Sequence, residues 1–221
     1  MIDYQTAYRD LRFAPDVDRN VVYQEIIRFL QPYLASVERA ADLFAGSCPF
    51  INNLPVPVRF AVDLDDSIGR RAAPGVTAIE ADCRERIDAI ADASLDLVFI
   101  SNGLEHVTRD DAARVCAEVR RMLRPGGRFV VLQPNFRLCW KHYFDDFTHV
   151  TIFTDVGLRM FLEHCGFRVE KVFPRFTPFS AGQVQPRLAQ ARWLIRAYLH
   201  SPFKPGAGQM LAVARRPSEG Q

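Results

Sequence analysis

The sequence predicts an α/β fold built on a largely parallel sheet, and three observations carry that prediction. Apolar runs of strand length alternate along the chain with stretches of helical periodicity. One run, 95–101 (LDLVFIS), is almost continuously apolar, as a strand covered on both faces must be. Small residues and acids follow successive strand ends, where parallel sheets bind ligands. The 221 residues suit one domain, and 48% apolar with 24% charged residues excludes disorder and coiled coil.

The elements follow in order. In 20–35, Val22, Ile26, Phe29 and Leu30 share one helical face. Residues 38–45 end in the apolar run Leu43-Phe44-Ala45, a first strand. Residues 57–64 and 76–81 give the second and third strands, and 95–101 the fourth. Thr108 is placed to cap a helix whose first turn holds Asp110 and Asp111, where the dipole favours acids. That helix is expected to run to Leu123 and stop at Pro125-Gly126-Gly127. A fifth strand follows at 128–133. A helix is expected from Thr154 to Cys165-Gly166, then a sixth strand at 167–173. A helix at 187–199 and a last strand at 209–215 close the count at seven strands.

The strand ends carry the chemistry. After the first come Ala45-Gly46-Ser47, small enough for a ligand to approach the backbone N–H groups. After the second comes Asp63, 21 residues beyond Asp42, a place and distance that suit a ribose diol. After the third comes Asp82-Cys83, an acid positioned to accept from an exocyclic amine. After the fourth comes Ser101-Asn102-Gly103-Leu104-Glu105-His106. Each element alone is weak; their order around one crevice points to an adenosine ligand.

Here the sequence resembles, over nearly its whole length, the class I S-adenosylmethionine (SAM) dependent methyltransferases. The matching motifs are Asp42-Leu-Phe-Ala-Gly-Ser-Cys48, Phe60-Ala-Val-Asp63-Leu-Asp65, Glu80-Ala-Asp82-Cys83, Leu95 to Val107, and Arg121-Met-Leu-Arg-Pro-Gly-Gly127. The resemblance implies a Rossmann-like seven-stranded sheet with helices on both faces and an antiparallel last strand. It implies SAM as cofactor. Ala45, Gly46 and Ser47 would line its methionine end, Asp63 with Leu64 its ribose, Asp82 and Cys83 its adenine, and Asn102, Gly103 and Leu104 its floor. Phe44 and Cys48 stand where the family usually and often, respectively, has glycine. Segments such as Tyr143 to His149 and Gln133-Pro-Asn135 are similar to a bacterial subgroup associated with cell-surface polysaccharide synthesis.

Methyl transfer to a hydroxyl needs a base within hydrogen-bond reach. The segment Lys141 to His149 supplies His149 or Asp146 as base and Asp145 as orienter; His106 is the further candidate. A metal site from Asp145, Asp146 and His149 is conceivable, but no further ligand spacing accompanies it, so no metal is assigned. The division expected is an N-terminal helical cap over 1–36, including Tyr4, Tyr8 and Arg12, a methyltransferase domain over 37–216, and a tail over 217–221. No apolar window of membrane-spanning length and no signal peptide are read, and the five cysteines contain no Cys-x-x-Cys, so a cytoplasmic chain is expected. Nucleic acid is not an expected partner at a net charge of +2. Trp193 beside Arg196 leaves membrane-surface contact open, while the oligomeric state stays unassigned. The acceptor reading is a saccharide or saccharide-lipid hydroxyl; a quinone-like phenol or another small acceptor, and a SAM-fold protein that binds without catalysing, are the alternatives.

Overall fold

A computed structural model describes residues 17–178 and 192–218. Helices α1 (Val17–Phe29) and α2 (Gln31–Leu34) precede β1 (Arg39–Leu43) and β2 (Val58–Asp63). Helix α3 (Ile68–Arg71), β3 (Val76–Glu80) and β4 (Leu95–Ser101) follow. Then come a 3₁₀ turn at Leu104–His106, α4 (Arg109–Met122) and β5 (Leu123–Pro134). The chain ends with α5 (Phe136–Cys139), a 3₁₀ turn at Tyr143–Asp145, α6 (Asp155–His164), β6 (Arg168–Phe173), α7 (Arg192–His200) and β7 (Gln209–Arg215).

The seven strands form one sheet in the order β3-β2-β1-β4-β5-β7-β6. β7 is antiparallel to both neighbours and the remaining pairs are parallel. The central strands alternate their side chains between two cores, as the period of two requires. Ala41, Leu43, Val98, Ile100, Phe129 and Val131 face α4 and α6. Ala40, Leu97, Phe99, Val130 and Leu132 face α1 and α7. On that second side Phe50 stacks on Phe99 with centroids 3.7 Å apart. Val22 and Ile26 of α1 and Leu30 just after it turn into this core, while the expected fourth member, Phe29, is half-buried and packs edge-on against Phe173 and Phe176. Arg196 of α7 bonds the buried Glu25 carboxylate of α1 at 2.9 Å. Trp193 is exposed on the same helix. Residues 187–191 and the proposed cap residues Tyr4, Tyr8 and Arg12 lie outside the described residues. No helix among the described residues is long and apolar enough to cross a membrane.

Thr108 and Thr154 cap α4 and α6 as expected, accepting from the backbone N–H of Asp111 and Gly157. The Arg-Met-Leu-Arg-Pro-Gly-Gly segment behaves differently from the expected stop. β5 already begins at Leu123, paired with Leu95, and the register then jumps to Leu97↔Arg128. Pro125 and the two glycines form a bulge in the strand, and Gly126 donates to the Arg216 carbonyl. A Cβ on Gly127 would lie 2.9 Å from the Arg124 carbonyl oxygen, so only glycine fits. Arg121 explains why the segment begins as it does. Its guanidinium bonds Glu118, Asp92 and the carbonyls of Ile87 and Ile90, pinning the β3–β4 connection to α4.

Candidate active site

The strand order reverses between β1 and β4, so the loops after those strands diverge and open a crevice at their carboxyl ends. The loop after β1 is held in an unusual form. Phe44, Gly46 and Cys48 have φ of 54°, 53° and 58°, alternate residues in the left-handed region. Glycine adopts that region freely, whereas each side chain there costs roughly 1–2 kcal/mol. The family's preference for glycine at 44 and 48 therefore has a backbone cause, and this chain keeps the conformation without the glycines. The Phe44 ring lies on Gly103: a Cβ added to Gly103 would come 2.7 Å from the ring. The loops after β1 and β4 meet through this contact.

Asp63, at the end of β2, closes the β1 loop. Its carboxylate accepts the Gly46 N–H at 2.8 Å and the Asp65 N–H at 3.0 Å. Leu64 beside it is exposed. Asp42, beneath the same loop, is buried. Desolvation holds its carboxyl well above the usual carboxylate range, against a backbone hydrogen bond from Ile51 and reinforced by the Asp63 charge. Asp82 bonds the Arg84 guanidinium at 2.6 Å and is held below its ordinary value by it. Cys83 is buried, which pushes its thiol up to about 12 and leaves it a packing residue. Cys48 is likewise buried, with its thiol also at about 12.

A hydrogen-bonded chain runs across the crevice floor. The Tyr23 hydroxyl meets Ser101 Oγ at 2.7 Å, and Asn102 Nδ2 donates to the same oxygen. Gln209 Nε2 donates to Asn102 Oδ1 at 2.7 Å, and Thr177 Oγ1 donates to Gln209. Asn102 has φ 51°, so this chain holds a left-handed residue in place at the end of β4. Gly103 and Leu104 behind it are buried.

The 3₁₀ turn continues this floor directly into a cluster of ionisable groups. The Glu105 carbonyl accepts the N–H groups of Val150 and Thr151, which staples the 146–151 loop against Glu105 and His106. His149 is thereby buried, 4.9 Å from the His106 ring and 4.5 Å from the Tyr143 ring between centroids. Its Nδ1 lies 2.6 Å from the Tyr143 carbonyl, which can only accept, so Nδ1 carries a proton and Nε2 is the nitrogen turned toward Asp146. Asp146 Oδ2 stands 3.7 Å from that Nε2. Thr148 Oγ1 lies 2.6 Å from Asp146 Oδ1 and 2.9 Å from His106 Nδ1.

His149, Asp146 and His106 are thus brought together, as the sequence suggested. Asp145 is not the orienter: it pairs with exposed His142 at 3.1 Å, and the Tyr143 carbonyl orients His149 instead. A backbone carbonyl leaves no trace in a side-chain pattern. Glu105, buried to 1% exposure beside both histidines, is the member that a reading of polar loop residues passed over. Its signal was the Glu-His pair after β4. Around the cluster, Trp140, Phe144, Phe147 and Val150 are exposed at 57–69%, an apolar surround for a polar centre.

The residues fit SAM on the donor side: a loop of small residues after β1, a carboxylate at the end of β2 and an Asn-Gly floor after β4. Residues 59–131 match the family model described as a methyltransferase domain. A ubiquinone/menaquinone biosynthesis C-methyltransferase of Rubrivivax gelatinosus is 37% identical over 68 residues. That stretch covers 31% of this chain and 26% of the relative. Among solved structures, a SAM-dependent methyltransferase from Archaeoglobus fulgidus aligns with a TM-score of 0.67 at 19% identity, covering 96% of this chain and 100% of that one. The N-methyltransferase NodS from Bradyrhizobium japonicum, in complex with S-adenosylhomocysteine, gives 0.68 at 16% identity over 98% and 100%. The chain thus has the fold of these solved methyltransferases, and its segment 59–131 matches a methyltransferase domain.

Proposed function

We propose that this chain methylates an oxygen of a small acceptor, a saccharide or saccharide-lipid hydroxyl. The observation that carries the reading is the buried His149, whose Nδ1–H is tied to the Tyr143 carbonyl while Nε2 faces Asp146. A bound SAM supplies a methyl group on an electrophilic sulfonium. Asp63 and the β1 loop hold the ribose and methionine ends, and Asn102 to Leu104 form the floor. A hydroxyl entering beside the 143–149 segment gives its proton to His149 or to the adjacent Asp146 carboxylate. The exposed side chains of Trp140, Phe144 and Phe147 favour an acceptor with an apolar part, such as a saccharide-lipid.

That same surround favours a second reading, a quinone-like phenol, in keeping with the name of the curated relative. A phenol ionises more readily and depends less on a base. The test is transfer of labelled methyl from SAM to a panel of lipid-linked saccharides, nucleotide sugars and hydroxyquinones. On the accepted substrate, His149→Ala and Asp146→Asn lower turnover by roughly 10²–10⁴-fold if a base is needed. SAM affinity by calorimetry stays unchanged. Full turnover in both variants overturns the hydroxyl reading.

A further inference from the structure

Glu105, His106 and His149 each bring one donor atom to a common point, with all three atoms within 4.8 Å of one another. We propose that these three side chains form a binding site for a divalent transition cation, of which zinc is the best match.

The strongest support lies in the tautomers. Thr148 Oγ1 spends its own proton on Asp146 Oδ1 at 2.6 Å, so toward His106 it accepts. The Thr148 carbonyl, 3.3 Å from the same ring nitrogen, also accepts. His106 therefore carries its proton on Nδ1. His149 does the same, through the Tyr143 carbonyl. Both imidazoles thus hold an Nδ1 proton on oxygen acceptors, which makes Nε2 of each ring the nitrogen able to ligate a cation. Holding the far N–H on a carbonyl or hydroxyl is how proteins orient metal-binding histidines. Two imidazoles and one carboxylate suit zinc with an open fourth position, and a buried carboxylate lowers the charge brought into the interior. The Glu105 side chain lies on the 3₁₀ turn stapled to the 146–151 loop, so all three donors sit on connected backbone. A cation bonded at about 2.1 Å needs donors about 3–4 Å apart, so the site closes by about 1 Å on loading.

The inference does not depend on the methyl-transfer reading, but it refines it. A cation held there would occupy His149 Nε2 and polarise an acceptor hydroxyl, which would leave Asp146, 3.7 Å from that nitrogen, as the group to receive its proton.

The experiment is calorimetric titration of zinc chloride into chelator-treated protein, with cobalt(II) absorption as a second readout. The expectation is one equivalent bound with a tetrahedral cobalt spectrum. His106→Gln and Glu105→Gln, both close in shape, weaken binding at least tenfold. Thr148→Val, which removes an acceptor for His106 Nδ1–H, weakens it by about 10–100-fold. His142→Ala, on an exposed residue outside the cluster, leaves it unchanged. No stoichiometric zinc, or zinc held equally by His106→Gln and Glu105→Gln, overturns the proposal. SAM binding is titrated in the same metal-free protein. Its loss would count against the methyltransferase reading, whereas SAM binding retained alongside a failed zinc titration would remove the metal site alone.

Discussion

Replacing Asp63 by alanine tests two roles at once. A carboxylate offers about four lone-pair positions, and two are engaged by the Gly46 and Asp65 N–H groups at 2.8 and 3.0 Å. The other two remain for a ribose diol. Hydrogen bonds to a charged group contribute roughly 1.5–3 kcal/mol each. Asp63 is half-buried, so water replaces part of what the variant loses, and a stability loss of about 1–2 kcal/mol is expected from the loop contacts. The ribose contacts add a separate loss in SAM affinity of at least tenfold, about 1.4 kcal/mol. Urea unfolding reads the first quantity and calorimetry with SAM reads the second, on the same preparation. A variant that is destabilised yet binds SAM within twofold of the wild type would refute the ribose assignment and leave Asp63 as a brace for the β1 loop. Unchanged stability would instead refute the account of the brace.

Phe44→Gly relieves a left-handed side chain and clears space over Gly103, so SAM affinity rises in calorimetry; weaker binding in a folded variant would make the ring a supporting wall. Arg121→Ala strands the buried Glu118 carboxylate and releases the β3–β4 connection, lowering stability by about 3 kcal/mol in urea unfolding. Asp65 gives a pH limb. Burial raises its carboxyl, but bonds from Ser67 and Arg71 more than reverse this and hold it at about 2. A group depressed on folding stabilises above its unfolded pKa, so this contribution is whole above about pH 4 and is lost as pH falls toward 2. Thermal midpoints across that range fall more gently in Arg71→Met.

The strands and caps were legible because each has a local cause. The continuous apolar run at 95–101 demanded burial on both faces, and Thr108 and Thr154 sit where orphan N–H groups need acceptors. The start of β5 was not legible. Pro125-Gly126-Gly127 carries the same residues whether it ends a helix or bulges a strand, and only pairing with Leu95 and Arg216 decides. The positions of Gly46, Asp63 and Asn102 at or just past strand ends were legible too. The acceptor side was legible in part: His149 and Asp146 share one loop, but Glu105 joins them through backbone bonds across 45 residues of sequence, from Glu105 to Val150. The left-handed turns at Phe44 and Cys48 were visible only as departures from glycine, since side-chain identity hides a φ value.

The chain of hydrogen bonds from Tyr23 through Ser101, Asn102 and Gln209 to Thr177 has a kinetic consequence. It couples the first described helix, the end of β4 and the start of β7, three segments far apart in sequence, into one cooperative unit. Opening the crevice floor locally then requires breaking contacts in all three. The Asn102 amide, bonded to the Leu132 carbonyl at 2.8 Å, should therefore exchange with solvent only as slowly as the central sheet itself. A floor that opens only with the sheet has no separate ordering step, so association with a nucleoside is expected to proceed in a single kinetic phase.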